Sequence, residues 1–447
     1  MQKAKNIDFC EGPFLRKIIL FSIPIIASGL LQLLFTAADI AVLGQFSGDN
    51  AISAVSSTTS ITGLLVNISM GLGNGASVVA AQNIGAKNKD AVEKVVHSAI
   101  LLSIVLGFCL GFIGFILTKP VLVLMQSPAE VINLSAIYLK IYFAGFPVIL
   151  LYNFGSAILR AIGDTTRPLI YLSISGVLNV ILNVIFVTLF DMNVAGVALA
   201  TVISQAVSAT LVIIHMMKLD NECRLYISKL KFNKQAVSRT LYIGIPAGLQ
   251  GVIFSASNML MQSSINSLGT VAMAAKAAAS NITDMVYIPM NAIHHASTTF
   301  IGQNTGARKF AQIKKLTTLL LSVVSFIGIL LSSLAIILHK PALKIFTSSP
   351  EVLSNAFIYL LMLCAPYFLC GCMDVTVGCI RGMGNSIQPM LVSVFGVCVL
   401  RFIWILFVFP LKRELWFLLM SYGISWAITF VLQLIIYRKT FKKLSEQ

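Results

Sequence analysis

Long apolar runs, each of about 20 residues or more, alternate along the chain with short polar breaks. They fall near 18–43, 52–80, 96–117, 132–157, 168–190 and 194–217, and again near 241–265, 270–301, 316–338, 353–380, 389–409 and 415–437. A run of that length crosses a hydrocarbon core of about 30 Å as a helix. The pattern therefore predicts an all-α integral membrane protein with twelve transmembrane helices. An N-terminal six-helix bundle is expected over 1–217, a polar linker over 218–240, a C-terminal six-helix bundle over 241–437 and a basic tail over 438–447.

The two bundles carry the same short motifs. Gln82-Asn83-Ile84-Gly85-Ala86-Lys87 returns as Gln303-Asn304-Thr305-Gly306-Ala307-Arg308, and Arg160-Ala161-Ile162-Gly163-Asp164 with Pro168 returns as Arg381-Gly382-Met383-Gly384-Asn385 with Pro389. The differences 303 − 82 and 381 − 160 both equal 221. One offset for two separate motifs marks a duplicated unit. Weaker echoes, such as Pro24 with Pro246 and Ser127-Pro128 with Ser349-Pro350, hold that register to within one residue. An even number of helices per repeat gives both halves the same orientation, so a pseudo-two-fold axis along the membrane normal is expected.

Both motifs suit helix ends. In the second, Arg160 and Arg381 face the negative end of a helix dipole, Gly163 and Gly384 permit a left-handed cap, and Pro168 and Pro389 open the next helix. In the first, the amides can satisfy terminal backbone groups and the glycine is expected to turn the chain.

Composition agrees with a membrane class. Hydrophobic residues make up 57% of the chain and charged residues 11%, with a mean hydropathy of +0.90, whereas soluble domains are about a quarter charged. The 32 Lys and Arg against 16 Asp and Glu give a net charge of +16. Most of these bases fall in loops on one side, while the opposite loops hold only Lys119, Lys340, Lys344, Lys412 and Arg413. That asymmetry predicts both termini in the cytoplasm and an inner or plasma membrane location. It also makes the charge topogenic, not a nucleic-acid footprint. The first helix lacks the pattern of a cleaved leader. Of the eight cysteines five lie between Cys364 and Cys398, no CxxC pair occurs, and packing is the expected role. No Gly-x-x-x-x-Gly-Lys-[Ser/Thr] loop is present. Gly71-Leu72-Gly73-Asn74-Gly75 reads as helix packing. Neither a cofactor nor an ATP-binding subunit is expected, which leaves ion gradients as the energy source.

The duplicated motifs, their order and the twelve-helix length resemble the multidrug and toxic compound extrusion (MATE) family, within the superfamily that also holds polysaccharide and lipid-linked precursor flippases. The resemblance covers essentially the whole chain. It implies two bundles around a central cavity, alternating access, and export of amphipathic, often cationic, compounds against an inward H+ or Na+ gradient.

Ionisable groups inside a bilayer cost roughly 2.5–3.5 kcal/mol each on insertion scales, so each needs a partner or a purpose. Thr36-Ala37-Ala38-Asp39 resembles the family's first-helix acid. Asn179 and Asn183 share a helix face four residues apart, and Thr201 adds a hydroxyl. These four are expected to form the coupling-ion pocket, with Na+ or a proton at Asp39 and no other metal. Many family members carry an acid where Asn183 stands, so a shared-proton pair is absent here. A structural acid paired with Lys140 is the other reading of Asp39.

In the second half, Asp284, Met261, Met285 and Gln250 are the candidate substrate cavity, the methionines because flexible thioethers suit varied shapes. Lys140, Lys276, Asp374 and Arg401 form a candidate intramembrane charge network. The resulting expectation is a monomeric antiporter, not an enzyme, exporting small amphipathic substrates through the lipid bilayer. A lipid-linked oligosaccharide flippase is the alternative, kept by Arg401 and Lys276. A membrane-embedded enzyme is the least supported reading, since adjacent His294-His295 makes no catalytic cluster.

Overall fold

The computed structural model of the chain describes residues 9–125, 128 and 130–446. Ser127 and the extreme ends of the outer segments named above lie outside these residues. The chain is helical throughout its passes. α1 spans Phe14–Phe46, α2 Asp49–Gly85, α3 Lys89–Leu124, α4 Ile132–Ala144, α5 Phe146–Ala161, α6 Thr166–Val184 and α7 Asn193–Met217. After the linker come α8 Lys234–Asn266, α9 Thr270–Gly306, α10 Phe310–Ile337, the short α11 His339–Lys344, α12 Pro350–Cys364, α13 Tyr367–Gly382, α14 Ile387–Ser393, α15 Leu400–Ile403 and α16 Leu415–Ser445.

Among the described residues, ten helical segments are long and apolar enough to cross a membrane, and an eleventh is the pair α4 and α5, bent by 49°. The remaining long helix is α9, of 37 residues. It is less apolar because it carries Lys276, Asn281 and Asp284, and because Ser297, Thr298, Thr299, Gln303 and Asn304 are buried along it. Counting it restores the twelve passes read from the sequence.

The contacts repeat as the motifs do. α2 packs on α5, α3 on α5, α4 on α7, α5 on α7 and α6 on α7; in the second half α9 packs on α13, α10 on α13, α12 on α16, α13 on α16 and α14 on α16. By packing, the chain forms one compact unit that includes 27–248 and another comprising 9–26 with 249–446. These limits differ from the division by repeat at two points. Residues 9–26 pack in the second unit because Phe9, Phe21 and Phe300 form an aromatic cluster, and because Asn304 Nδ2 donates to the Phe9 carbonyl at 2.9 Å.

The expected linker, in turn, packs in the first unit. Cys223 and Leu225 are buried in its core. The Tyr226 N–H donates to His97 Nε2 at 3.0 Å, and Lys229 pairs with Glu93 at 2.7 Å.

All four motif copies end their helices with the same cap. Gly163 N donates to the Arg160 carbonyl and Asp164 N to Leu159, and Gly384 and Asn385 repeat this with Arg381 and Ile380. Gly163 and Gly384 have φ of +90° and +91°. In the other motif the turning residue is Lys87 or Arg308, each at φ 54°, and not the glycine two places earlier. Lys87 and Asn88 donate to Ile84 and Asn83, so the left-handed position falls after the helix has closed on Gly85.

A side chain in that conformation costs about 1–2 kcal/mol. Gly163→Ala should therefore lower, and Lys87→Gly raise, the thermal midpoint of the purified protein, each by an amount equivalent to about 1 kcal/mol.

Candidate coupling site

Three elements of the first unit converge on Asp39. On α1, Gln32, Thr36 and Asp39 lie on one face by their spacing. α1 can approach α6 closely because Gly176 has no side chain: a Cβ there would sit 1.8 Å from the Phe35 ring. α6 then presents Asn179 and Asn183, and its last turn widens into a π-helix over Ile185–Leu189. Such segments often occur at functional positions. α7 supplies Thr201 and, one turn on, Gln205.

These side chains form a hydrogen-bonded chain. Asn183 Nδ2 donates to Asp39 Oδ1 at 2.5 Å and lies 3.3 Å from Asn179 Oδ1. Asn179 Nδ2 donates to Thr201 Oγ1 at 3.4 Å, and Thr201 Oγ1 donates to the Val197 carbonyl at 3.0 Å. Asp39, Asn179 and Thr201 line a cavity of about 270 Å³ together with Gln32, Asn153 and Gln205. Two buried oxygens of this group, Asn183 Oδ1 and Gln205 Oε1, have no hydrogen-bond partner. An acceptor left unpaired in a buried site is costly and calls for a ligand that can satisfy it.

Asp39 and the three residues expected around it thus meet. Gln32, Asn153 and Gln205 had not been singled out; the spacing of Gln205 one turn after Thr201 is the signal that finds it. Lys140 lies over the Phe115 ring at 5.3 Å, and among the described residues no ion pair joins it to Asp39.

The second-half candidates are dispersed. Gln250 is buried and accepts from Arg381 Nη2 at 2.7 Å, and Met261 is fully buried with Ser421 Oγ 3.9 Å from its sulfur. Asp284 and Met285 are exposed on α9. Lys276 donates to Gln262 Oε1. Asp374 accepts from the Tyr287 hydroxyl at 2.9 Å, while Arg401 rests on the Tyr422 ring. Each member of the candidate charge network therefore has its own partner.

The MatE family profile matches residues 24–185 and 246–406, two segments that begin 222 residues apart and together cover more than half of the chain. The chain belongs to the MATE family. MATE proteins are transporters, not enzymes, and this chain is a multi-pass membrane protein.

Curated relatives agree over nearly full length. "Probable multidrug resistance protein YoeA" of Bacillus subtilis is 29% identical over 86% of this chain and 84% of its own. "Multidrug export protein MepA" of Staphylococcus aureus is 25% identical over 94% of each. Among solved structures, an outward-facing multidrug resistance MATE family transporter of the MOP superfamily covers 100% of both chains with a TM-score of 0.91 at 20% identity. At that identity the likeness shows the MATE fold.

Proposed function

We propose that this protein exports amphipathic, cationic compounds in exchange for Na+ or H+ by alternating access, with Asp39 as the group that takes up and releases the coupling ion. The observation that carries the reading is a lone carboxylate set among neutral oxygens and amides in one cavity. One negative charge attracts one monovalent cation, and carboxylate, amide and hydroxyl oxygens are hard donors suited to it.

Asn183 Oδ1 is the second support. Na+ at Asp39 would satisfy this orphaned oxygen by coordination, and a proton on Asp39 would satisfy it by donation. The relatives named for multidrug export and resistance support the drug-like substrate class. We place the protein in the inner or plasma membrane with both termini in the cytoplasm, on the strength of its basic-residue asymmetry, and read it as a monomer because each chain carries both six-helix halves. The functional halves follow the repeat, 1–217 and 241–437, with 218–240 and 438–447 outside them.

The test is export of ethidium from proteoliposomes holding the purified protein, with Na+ and H+ gradients imposed separately. Dye movement driven by one gradient and unaffected by the other names the ion. No movement under either gradient, with the protein shown to be folded, overturns the reading.

A further inference from the structure

In the second half a buried base, Arg401, stands in the region that the repeat matches to the Asp39 pocket. The 221-residue offset pairs Thr201 with Tyr422 and Gln205 with Trp426 on the last helices of the two repeats, and Asn179 and Asn183 with Leu400 and Trp404 on the helices before them. The 222-residue offset that pairs Pro24 with Pro246 also pairs Asp39 with Met261. Asp39, Asn179, Asn183, Thr201 and Gln205 thus have apolar or aromatic counterparts, whereas Asn153 is matched by Asp374. Directly after Leu400 stands Arg401, only 4% exposed.

Its surroundings give it no counter-charge. The guanidinium carbon lies 4.0 Å from the Tyr422 ring centroid and 5.7 Å from that of Trp426, and Nε donates to Ser425 Oγ at 3.2 Å. Among the described residues no ion pair includes Arg401. A guanidinium carries five N–H donors and stays charged, so one hydroxyl and two ring faces leave most of its capacity unused. An uncompensated charge in a membrane segment is expensive and marks a functional position.

The backbone adds an independent observation. α15, which carries Arg401, is a single turn bracketed by π-helical segments at Val394–Val399 and Trp404–Val408. The second of these overlaps the stretch 406–410 that the repeat matches to Ile185–Leu189, the π-helical segment just after Asn183. π-helical turns inside a helix are frequent at functional sites. The aromatic stack also continues beyond Tyr422, with Trp426 5.4 Å from it and Tyr367 stacked on Trp426 at 5.4 Å and 22°.

We infer that Arg401, Tyr422 and Trp426 form a second binding site, for the carboxylate of a flat aromatic amphipath. The planar fork of Arg401 suits the two oxygens of a carboxylate, and the rings suit an apolar aromatic body. The export reading enters only in giving this site a role in transport, the binding of a substrate's anionic group. Binding itself is tested without any gradient.

The experiment is equilibrium dialysis of purified protein in detergent against 2-naphthoate and its uncharged methyl ester, using wild type, Arg401→Lys and Arg401→Gln. The expected result is saturable binding of the carboxylate, at least about tenfold weaker binding of the ester, a similar loss in Arg401→Gln and a partial loss in Arg401→Lys, since a bidentate charged contact supplies that factor. Unchanged thermal midpoints and unchanged ethidium binding would show that the variants are folded and that the first-half cavity is intact. Equal binding of carboxylate and ester by wild type overturns the site, as does equal naphthoate binding by wild type and a folded Arg401→Gln. If Arg401→Gln does not fold, the comparison of carboxylate with ester on wild type decides alone. Failure of ethidium export under both gradients would count against the coupling reading and leave this result standing.

Discussion

Asp39→Asn is expected to reach the membrane in wild-type amount and to lose gradient-driven export down to the level of protein-free liposomes. The substitution conserves volume, and the new amide can still meet Asn183, whose Nδ2 now donates to the Asp39 carboxylate. Folding should therefore survive. What is lost is the negative charge, and with it the ability to exchange between an ion-bound and an ion-free form. An ion can drive transport only through its differential affinity for the two states of the carrier, and an asparagine offers neither a titratable proton nor a charge to hold Na+. Initial rates of ethidium export from proteoliposomes, measured beside wild type with matched protein content, check this. Wild-type export by a folded Asp39→Asn would remove Asp39 from the coupling role.

Much of that site could be read from the sequence because its parts are polar residues in apolar surroundings. Asp39, Asn179, Asn183 and Thr201 each interrupt a hydrophobic run, and their meeting was expected from the resemblance to the MATE family's first-helix acid, not from a local period. Gln205 and Asn153 were less legible, since a lone amide on a membrane helix resembles a packing residue until a cavity is seen beside it. The packing of residues 9–26 was not legible at all. It depends on Phe9 and Phe21 meeting Phe300, a contact between segments nearly 300 positions apart that no local period encodes. The same holds for the π-helical segments near Asn183 and Arg401, where the sequence shows only a continuing apolar run. The turn at Lys87 was missed for a different reason. Glycine is the usual left-handed residue, and the chain places a lysine there while spending Gly85 inside the helix.

Close helix packing supplies the other large expected effect. Gly71 and Gly75 on α2 face Gly248 and Gly244 on the first part of α8, two pairs spaced by four residues and all inside the first unit. A Cβ on Gly71 would stand 2.1 Å from the Gly248 nitrogen and 2.3 Å from its Cα, and one on Gly75 would stand 2.3 Å from the Thr240 carbonyl oxygen. These neighbours are backbone atoms, so no rotamer change relieves the clash; the two helices would have to move apart. Small residues at this spacing let membrane helices approach until backbone packs on backbone. Gly71→Leu should therefore destabilise the first unit by about 3 kcal/mol or more, seen as a sharply lower thermal midpoint and a reduced monodisperse fraction in detergent. Gly63 on the same helix has nothing within 4 Å of its would-be Cβ. Gly63→Ala should leave the midpoint unchanged or raise it by the equivalent of about 0.5–1 kcal/mol, the usual gain from replacing a helical glycine. A Gly71→Leu protein that melts with wild type would show that α2 and α8 do not depend on this contact, whereas a loss confined to Gly71→Leu would place the contact, and not helix propensity, at the origin of the effect.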